Sequence, residues 1–301
     1  MQFLVNSPRL RRAVQAVCGE GSIEFTAPIC RALNARAVGD SDDILILAHG
    51  FGSDQSVWRD YMPWLSQRYR VVAYDLACAG TASPEFFTLP RHESLDGHVD
   101  DLIHLLRALS VGRCTFVGHS VSGMLGVLAA RRVPEIFEKL ILIGASACYL
   151  SDTHYMGGFD YDAIGAILNA IRLNYRDWAK SFGPFAVDKA PGDPAAESFV
   201  ASLLRMRPDV AVAMAKAIFL SDYRAVLPSC TAPTTILQTR HDPAVPLQAA
   251  QYLGEHIPAS TLEIIDATGH LPHLSAPATM AAALRRHLPK FGANGSVGST
   301  A

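Results

Sequence analysis

The chain has 301 residues, a net charge of −2 and 50% hydrophobic residues, enough apolar material for one large α/β domain. There is no basic excess to neutralise phosphates, so we expect no nucleic-acid partner. The sequence also contains no basic amphipathic segment and no apolar run of membrane-spanning length, so we expect no membrane partner.

The two ends of the chain differ in composition from the rest. Residues 1–31 are predicted to be a partly disordered extension, and they lack the apolar core of a secretory signal. We expect a cytoplasmic and nuclear location, with organelle targeting by this extension as the alternative. Residues 292–301 are rich in Gly and Ser and predict a flexible tail. Six cysteines without a Cys-x-x-Cys pair indicate free thiols.

Strand and helix patterns alternate through the first half of the domain, which we place at 32–291. The predicted strands there are Ile44–Ala48, Val71–Tyr74, Cys114–Val117 and Leu140–Ile143. The predicted helices are Leu95–Leu109 and Ser122–Arg131. This order favours a mostly parallel, doubly wound sheet with helices on both faces.

A helical block interrupts the alternation at about 151–220, and aromatic residues are frequent in it. The pattern then resumes with predicted strands Thr234–Gln238 and Thr261–Ile265 and helices Leu247–His256 and Pro277–Leu288. Because open α/β sheets bind ligands at the carboxyl ends of their strands, the inserted block is predicted to be a lid over that edge.

Ser120 is the candidate nucleophile. It lies at the centre of the run Gly118–Ser122 (GHSVS), between a predicted strand and a predicted helix. A nucleophile elbow needs this context and small neighbours, because the turn that exposes the serine is sharp. The fifth position of the motif is usually Gly and here is Ser122, followed by Gly123. The alternative is an ordinary strand–turn–helix junction with a capping serine.

Two backbone amides are candidates for an oxyanion hole, which an acyl-transfer enzyme needs to stabilise developing negative charge. The elbow would supply the N–H of Val121, the residue after the nucleophile. The glycine-rich loop that follows the strand Ile44–Ala48 would supply the N–H of Phe51. The alternative for that loop is a plain βα turn.

Serine needs a general base, and the base needs an orienting acid. In α/β-hydrolases the chain order is Ser, acid, His. Asp242 and His270 follow the last two predicted strands and fit this order.

Other titratable residues near the predicted triad are weighed as alternatives. Asp266 is the rival acid, and His273 lies near the predicted base. Structural hydrogen bonding is the expected role of the two flanking histidines, His49 and His119, while Asp75 ends a strand.

Other chemistries find little support in the sequence. An Asp at position 120 would favour a dehalogenase or an epoxide hydrolase, and the chain has Ser there. No phosphate-binding glycine motif or metalloprotease motif is present, and the scattered His, Asp and Glu show no metal-ligand spacing. We therefore expect no cofactor and no metal.

The motifs together resemble the plant strigolactone and karrikin receptor hydrolases, over about 32–287. The resemblance is carried by HGFGSDQSVW at 49–58, GHSVSGM at 118–124, LILIGAS at 140–146, MRPD at 206–209 and GHLPHLSAP at 269–277. It implies an α/β-hydrolase fold with a lid of four helices, and slow hydrolysis of butenolide lactones. It also implies that a lid reshaped by ligand recruits an F-box protein and a repressor target.

The resemblance further implies a pocket lined largely by aromatic side chains. Matched by motif, its residues are Phe51, Tyr149, Phe159, Ile167, Trp178, Phe182, Phe199, Ile218, Phe219 and Ala244. The alternative for each is helix-packing core. The family usually has Pro-Arg after the strand-end Gly-Ala-Ser, where this chain has Ala147 and Cys148.

The sequence thus favours a monomeric serine hydrolase for small butenolide-type lactones, acting as a hormone receptor or a receptor-like paralogue. Two alternatives remain open. One is a metabolic carboxylesterase on small apolar esters without signalling, and the other is a ligand-sensing module with negligible turnover.

Overall fold

The structure is a computed structural model that describes residues 23–291. Most of the predicted N-terminal extension, its Cys18 and the predicted flexible tail lie outside the described residues. No helix within 23–291 combines the length and apolar character that a membrane crossing requires.

The strands of residues 23–291 form one eight-stranded sheet in the order β1-β2-β4-β3-β5-β6-β7-β8. Their bounds are β1 Ile23–Glu24, β2 Arg36–Val38, β3 Ile44–Ala48, β4 Arg70–Tyr74, β5 Cys114–His119, β6 Phe137–Ile143, β7 Thr234–His241 and β8 Ser260–Thr268. All pairs from β4 to β8 are parallel, whereas β1 and β2 are antiparallel to their neighbours.

Helices cover both faces of the sheet. They are α1 Pro28–Ala32, α2 Met62–Leu65, α3 Leu95–Ala108, α4 Val121–Arg132, α5 Tyr161–Leu173, α6 Tyr175–Val187, α7 Pro194–Leu203, α8 Pro208–Phe219, α9 Leu247–His256, α10 Pro272–Ser275 and α11 Pro277–His287. Short 3₁₀ helices lie at Gln55–Trp58, Pro134–Ile136 and Arg224–Ser229.

The central strands are buried on both faces, and alternate residues point to two separate cores. In β3, Ile46 and Ala48 join the larger core, which contains α3, α4 and the lid. Leu45 and Leu47 join the smaller core, which lies under α11. Strands covered on both faces need continuous apolar runs, which is why β3 and β6 lack polar–apolar alternation.

The fold class predicted from the sequence is confirmed: an α/β-hydrolase fold, a mostly parallel doubly wound sheet with a four-helix lid. The lid is α5–α8, between β6 and β7. Several predicted elements end a few residues away from the observed ends, as is usual for pattern-based boundaries. β1 and β2 were not predicted, because strands of two or three residues leave too little periodicity to detect.

One predicted boundary needs correction. The extension was placed at 1–31, but α1 lies largely inside it, and its Ile29 and Cys30 are buried in the larger core. The folded domain therefore begins before residue 32. The apolar pair is too short to stand out as a helix in the sequence.

The sheet order also fixes where a site can form. From β3 the chain moves to β4 on one side and then to β5 on the other, so a crevice opens at the carboxyl ends of β3 and β5. The register pairs Ala48 with Gly118. The loop after β3 and the turn after β5 therefore lie side by side, beneath the lid.

Candidate active site

Ser120 lies in the turn between β5 and α4 with φ 54° and ψ −123°. This left-handed backbone is strained for a residue with a side chain and projects the hydroxyl out of the turn. Small neighbours make the turn possible. A Cβ on Gly118 would lie 2.5 Å from the Ser122 carbonyl oxygen, and one on Gly123 would lie 2.6 Å from the Ala145 Cβ.

Ser122 occupies the motif position where Gly is usual, and the structure explains why a hydroxyl fits. The side chain is buried and donates a hydrogen bond of 2.5 Å to the His49 carbonyl oxygen. It therefore ties the elbow to the loop that follows β3. The tight steric requirement falls on Gly118 and Gly123 instead.

Three side chains predicted to act together are adjacent in the structure. The Nε2 atom of His270 lies 2.8 Å from the Ser120 Oγ, and its Nδ1 atom lies 2.9 Å from the Asp242 Oδ2. A neutral imidazole in this position donates from Nδ1 to the carboxylate and accepts the serine proton at Nε2. This is the geometry of an activated serine nucleophile with an oriented base.

Asp242 is held by donors on its other side. Its Oδ1 accepts hydrogen bonds from the Ala244 N–H at 2.8 Å and the Val245 N–H at 3.0 Å. Its Oδ2 also accepts one from the Gln238 side-chain amide at 3.2 Å. These donors fix the carboxylate, so that Oδ2 faces the imidazole.

The backbone of His270 is anchored on two sides. Its N–H donates to the Ala186 carbonyl oxygen of lid helix α6 at 2.7 Å. Its carbonyl accepts a hydrogen bond from the His119 Nε2, also at 2.7 Å. Burial, and then the nearby His273 ring, hold the pKa of His119 well below its usual range. His119 is therefore a neutral structural donor, and the lid contacts the loop of the base directly.

The two predicted oxyanion donors flank the nucleophile. Val121 is the first residue of α4, where N–H groups have no acceptor within the helix. The loop after β3 passes close to Ser120, since a Cβ on Gly50 would lie 3.1 Å from the Ser120 Cβ. The Phe51 N–H follows immediately in this loop. When the Ser120 Oγ attacks a carbonyl carbon, the carbonyl oxygen would therefore develop its negative charge between these two backbone segments.

Four of the predicted pocket residues form one aromatic group. The Phe51 ring lies 6.3 Å from Trp178, Trp178 stacks on Phe182 at 4.9 Å, and Phe182 lies 6.2 Å from Phe199. Trp178 and Phe182 lie one turn apart on α6 and share a face. Because Phe51 belongs to the oxyanion loop, this group connects the lid to the reacting centre.

A second aromatic group lies where the chain enters and leaves the lid, since Phe159 precedes α5 and Phe219 ends α8. The Phe219 ring meets Tyr149 at 5.3 Å and Phe159 at 5.4 Å, both edge to face. The Tyr149 hydroxyl lies 3.4 Å from the Ser120 Oγ. Burial raises the pKa of this phenol, so it stays protonated and available as a donor.

The remaining predicted pocket residues lie in the same apolar core as these rings. Ile218 and Ala244 are buried, and Ile167 packs against the core while partly exposed. Of these three, Ala244 contacts the triad through its backbone N–H, which donates to the Asp242 Oδ1.

The chain matches the profile of the Alpha/beta hydrolase family over residues 45–283. It is 46% identical to the strigolactone esterase of Arabidopsis thaliana over 263 residues, covering 87% of this chain and 98% of that protein. It is 39% identical to a karrikin insensitive 2 receptor of Petunia hybrida, covering 85% of this chain and 96% of that protein. The chain belongs to the strigolactone esterase and karrikin receptor branch of the α/β-hydrolase family.

Solved structures support the same family. A hydrolase from Oleispira antarctica superposes with a TM-score of 0.82 at 30% identity, covering 85% of this chain and 94% of that one. The family resemblance drawn from the sequence motifs is confirmed, and the chain is a serine hydrolase of this family.

Several residues weighed as rivals have other roles in this hydrolase. Asp266 lies within β8 with a side chain 91% exposed and pairs with Arg240 at 3.3 Å, away from the base. Asp75 accepts hydrogen bonds from the Gln55 N–H at 2.7 Å and the Asn34 amide at 2.8 Å. The carboxylate next to the base is that of Asp242.

The histidines around the site are structural. His49 accepts from the Leu76 N–H at 2.9 Å through Nε2, so its Nδ1–H donates to the Gly50 carbonyl. His273 is buried, and neither ring nitrogen has a hydrogen-bond partner within 23–291. Burial lowers the pKa of His273 to about 3, with a smaller effect from His270.

Some contributors to the site were not predicted. The sequence offered a signal for Gln238, which is a polar residue at the end of a buried strand, four positions before the acid. It offered none for the Ala186 carbonyl or for the hydroxyl contact of Tyr149, because both depend on how the lid packs. The sequence also showed no metal-ligand spacing, whereas the structure brings His92, His98 and Asp101 together.

Proposed function

We propose that this hydrolase binds and slowly hydrolyses small butenolide-type lactones, and that it is a receptor or a receptor-like paralogue. The observation that carries the proposal is a Ser120–His270–Asp242 relay directly beneath two aromatic groups. The names of its relatives, a strigolactone esterase and a karrikin insensitive 2 receptor, support the ligand class.

The first chemical step is an attack of the Ser120 Oγ on the lactone carbonyl. His270 takes the hydroxyl proton at Nε2, while Asp242 stabilises the imidazolium that forms. The carbonyl oxygen becomes an oxyanion and accepts hydrogen bonds from the Phe51 and Val121 N–H groups.

Collapse of the tetrahedral intermediate breaks the ring C–O bond, and the proton on His270 passes to the departing alkoxide oxygen. In a lactone this leaving group stays attached to the acyl chain, so the opened product remains bound to Ser120 as an ester. Water activated by His270 then attacks the ester carbonyl and releases the hydroxy acid.

The walls of the site fit a flat, weakly polar ligand. The Phe51–Trp178–Phe182–Phe199 group offers ring faces and edges to such a molecule. The Tyr149 hydroxyl adds a single donor close to the nucleophile. A few placed polar groups within an apolar wall are typical of small-molecule sites.

The lid is the element through which we propose that the ligand acts on partners. The α6 carbonyl of Ala186 hydrogen-bonds the His270 N–H, so the lid and the catalytic base are connected. Arg205, just after α7, pairs with the buried Asp54 near the oxyanion loop. A ligand that favours one arrangement of these contacts shifts the lid population.

We extend the proposal to an F-box protein and a repressor target as ligand-dependent partners of a monomeric chain in the cytoplasm and nucleus. The relatives' receptor names support it. A pull-down of an F-box partner with and without a butenolide tests it. Equal recovery in both conditions would contradict ligand-dependent recruitment.

The hydrolase proposal is tested with a fluorogenic butenolide and a matched fluorogenic acyclic ester. We expect turnover of the butenolide, a ligand-dependent change in melting temperature, and loss of turnover in Ser120→Ala with the melting change retained. Much faster turnover of the acyclic ester without a butenolide melting shift would favour the metabolic carboxylesterase. Binding without any release of fluorophore would favour the sensing module.

A further inference from the structure

A second group of histidine and carboxylate side chains lies outside the active site, where the segment after β4 meets helix α3. His92 belongs to the segment, whereas His98 and Asp101 lie one turn apart on α3. One ligand atom from each of the three lies within 4.8 Å of the others. Their exposures are 0%, 2% and 3%, so they share one buried spot.

His98 has no hydrogen-bond partner on either ring nitrogen among the described residues. Its ring lies 4.8 Å from that of His92 and 6.2 Å from that of Phe87. Buried polar groups are rarely left without a partner, so the two ring nitrogens of His98 are open to a ligand.

The other two residues have partners that suit metal ligands. The His92 Nε2 lies 2.9 Å from the Asp101 Oδ2. The opposite nitrogen, Nδ1, lies 3.1 Å from both the N–H and the carbonyl oxygen of Thr88. Thr88 therefore serves either tautomer, and an Nδ1–H donated to the carbonyl leaves the Nε2 lone pair directed at the cluster. Ligating histidines are usually held in this way.

Arg91 completes the surroundings. Its guanidinium pairs with the Asp101 Oδ1, whereas Oδ2 faces the His92 Nε2 within the cluster, and the Arg91 side chain is 45% exposed. The Asp101 side of the cluster thus reaches a partly exposed side chain. Two ligands of one tetrahedral zinc lie about 3.3 Å apart, from bond lengths of about 2.0 Å. The His92 Nε2 and the Asp101 Oδ2, now 2.9 Å apart, would need to separate only slightly to bind one ion.

We propose that His92, His98 and Asp101 bind a zinc ion, with water as the fourth ligand. Two imidazoles and a carboxylate are donors that zinc accepts readily. When the ion binds, His92 releases its Nε2 proton to solvent and takes up a proton at Nδ1, so the ring is in the tautomer that donates to the Thr88 carbonyl oxygen. The ion joins the segment after β4 to α3. The proposal is independent of the lactone hydrolysis proposed above.

The test is zinc binding by the full chain after removal of metal with a chelator. Titration against a chromophoric competitor should show one more equivalent of zinc in the wild type than in His98→Phe. Losing a ligand should weaken the site by roughly 100-fold or more, since loss of an outer partner alone costs about 10–100-fold. Cobalt(II) should give visible absorption bands of a four-coordinate site in the wild type alone.

The variants are chosen so that folding can be judged separately. Phe keeps an aromatic ring at this position and removes two unsatisfied polar atoms, so metal-free His98→Phe should melt near or above the wild-type temperature. His98→Gln is the second variant, and His104→Phe, an exposed position on the same helix, is the matched control that should keep the site. Equal zinc uptake by wild type and both folded His98 variants would overturn the proposal, as would no uptake by the wild type.

Discussion

Two buried histidine–aspartate pairs can be compared within this chain. In the first, His270 faces Asp242 at 2.9 Å, and in the second, His92 faces Asp101, also at 2.9 Å. The pairs differ in the second nitrogen. In His270 it faces the Ser120 hydroxyl at 2.8 Å, whereas in His92 it faces the backbone of Thr88. The same pair therefore supports catalysis in one place and structure in the other.

The place of each pair in the fold accounts for this difference. Asp242 and His270 follow parallel strands at the edge where the strand order reverses, beneath a lid. His92 lies just before α3 and Asp101 lies within it, beside His98, whose ring nitrogens have no hydrogen-bond partner among the described residues. A histidine–aspartate contact alone is thus a poor indicator of catalysis, and the group on the other ring nitrogen decides what it does.

The nucleophile gives the sharpest test of this contrast. Ser120→Ala removes the reacting atom, and we expect hydrolysis to fall by roughly 10⁴- to 10⁶-fold. The left-handed backbone at 120 remains, so the melting temperature should change little. Turnover of a fluorogenic butenolide measures the effect. Retained turnover in the variant would place the nucleophile elsewhere.

The two carboxylates can be exchanged for amides in matched variants. Asp242→Asn should lower kcat by roughly 10⁴-fold, because an amide NH₂ facing the imidazole leaves it in the wrong tautomer. Asp101→Asn should leave kcat within a few-fold of wild type, although it breaks the buried pair with Arg91 and lowers stability. Steady-state kinetics and urea unfolding of both variants separate the effects. A larger kcat loss in Asp101→Asn would reverse the assignment.

Phe182→Ala tests whether the lid's aromatic group is a pocket wall. Phe182 is only partly buried and stacks on Trp178 at 4.9 Å. We therefore expect a destabilisation below the roughly 3–5 kcal/mol of a full core deletion. We also expect a shift of about tenfold in kcat/KM toward bulkier esters. A panel of acyl sizes with melting temperatures measures both. If the relative rates are unchanged and the free energy of unfolding falls by the full amount of a core deletion, the aromatic group only packs the lid and does not line a pocket.

Much of the site could be predicted from the sequence because its residues follow strands. A buried parallel strand is recognisable by its apolar run, and the residue after it lies at the binding edge whatever the loop does. Ser120, Asp242 and His270 all follow this rule. The lid's position was predictable for the same reason, since a helical block replaced the strand alternation.

The cluster at His92 could not be predicted in this way. Its ligands are separated by a turn whose conformation depends on packing against Phe87 and α3, and no regular period relates His92 to the helix. The Ala186 contact to His270 likewise depends on how α6 lies on the sheet edge. Local pattern carries no information on such loop geometry. At Ser122 the sequence differed from the motif, which usually has Gly there, and the structure accommodates the side chain through its hydrogen bond to His49.

The smallest expected effect concerns the free energy of unfolding in acid. A buried histidine without a hydrogen-bond partner should lower it as the pH falls, unlike a histidine paired with a carboxylate. His273 is buried with both nitrogens unpartnered, and its pKa in the folded chain is about 3. Its unfolded pKa is about 6.5. Above pH 6.5 the ring is neutral in both states, so it adds no pH dependence.

Below pH 6.5 the unfolded chain binds a proton at this position that the folded chain does not. The free energy of unfolding then falls by about 1.4 kcal/mol per pH unit for this residue until the folded form titrates near pH 3. His273→Gln removes the site. The variant should therefore lose about 2 kcal/mol less than wild type between pH 6.5 and 5. Urea unfolding at several pH values measures this, with the slopes at pH 7.5 as the control, where the two proteins should agree. Identical slopes from pH 6.5 to 5 would mean that His273 binds a proton in the folded chain as readily as in the unfolded chain, which would contradict the prediction.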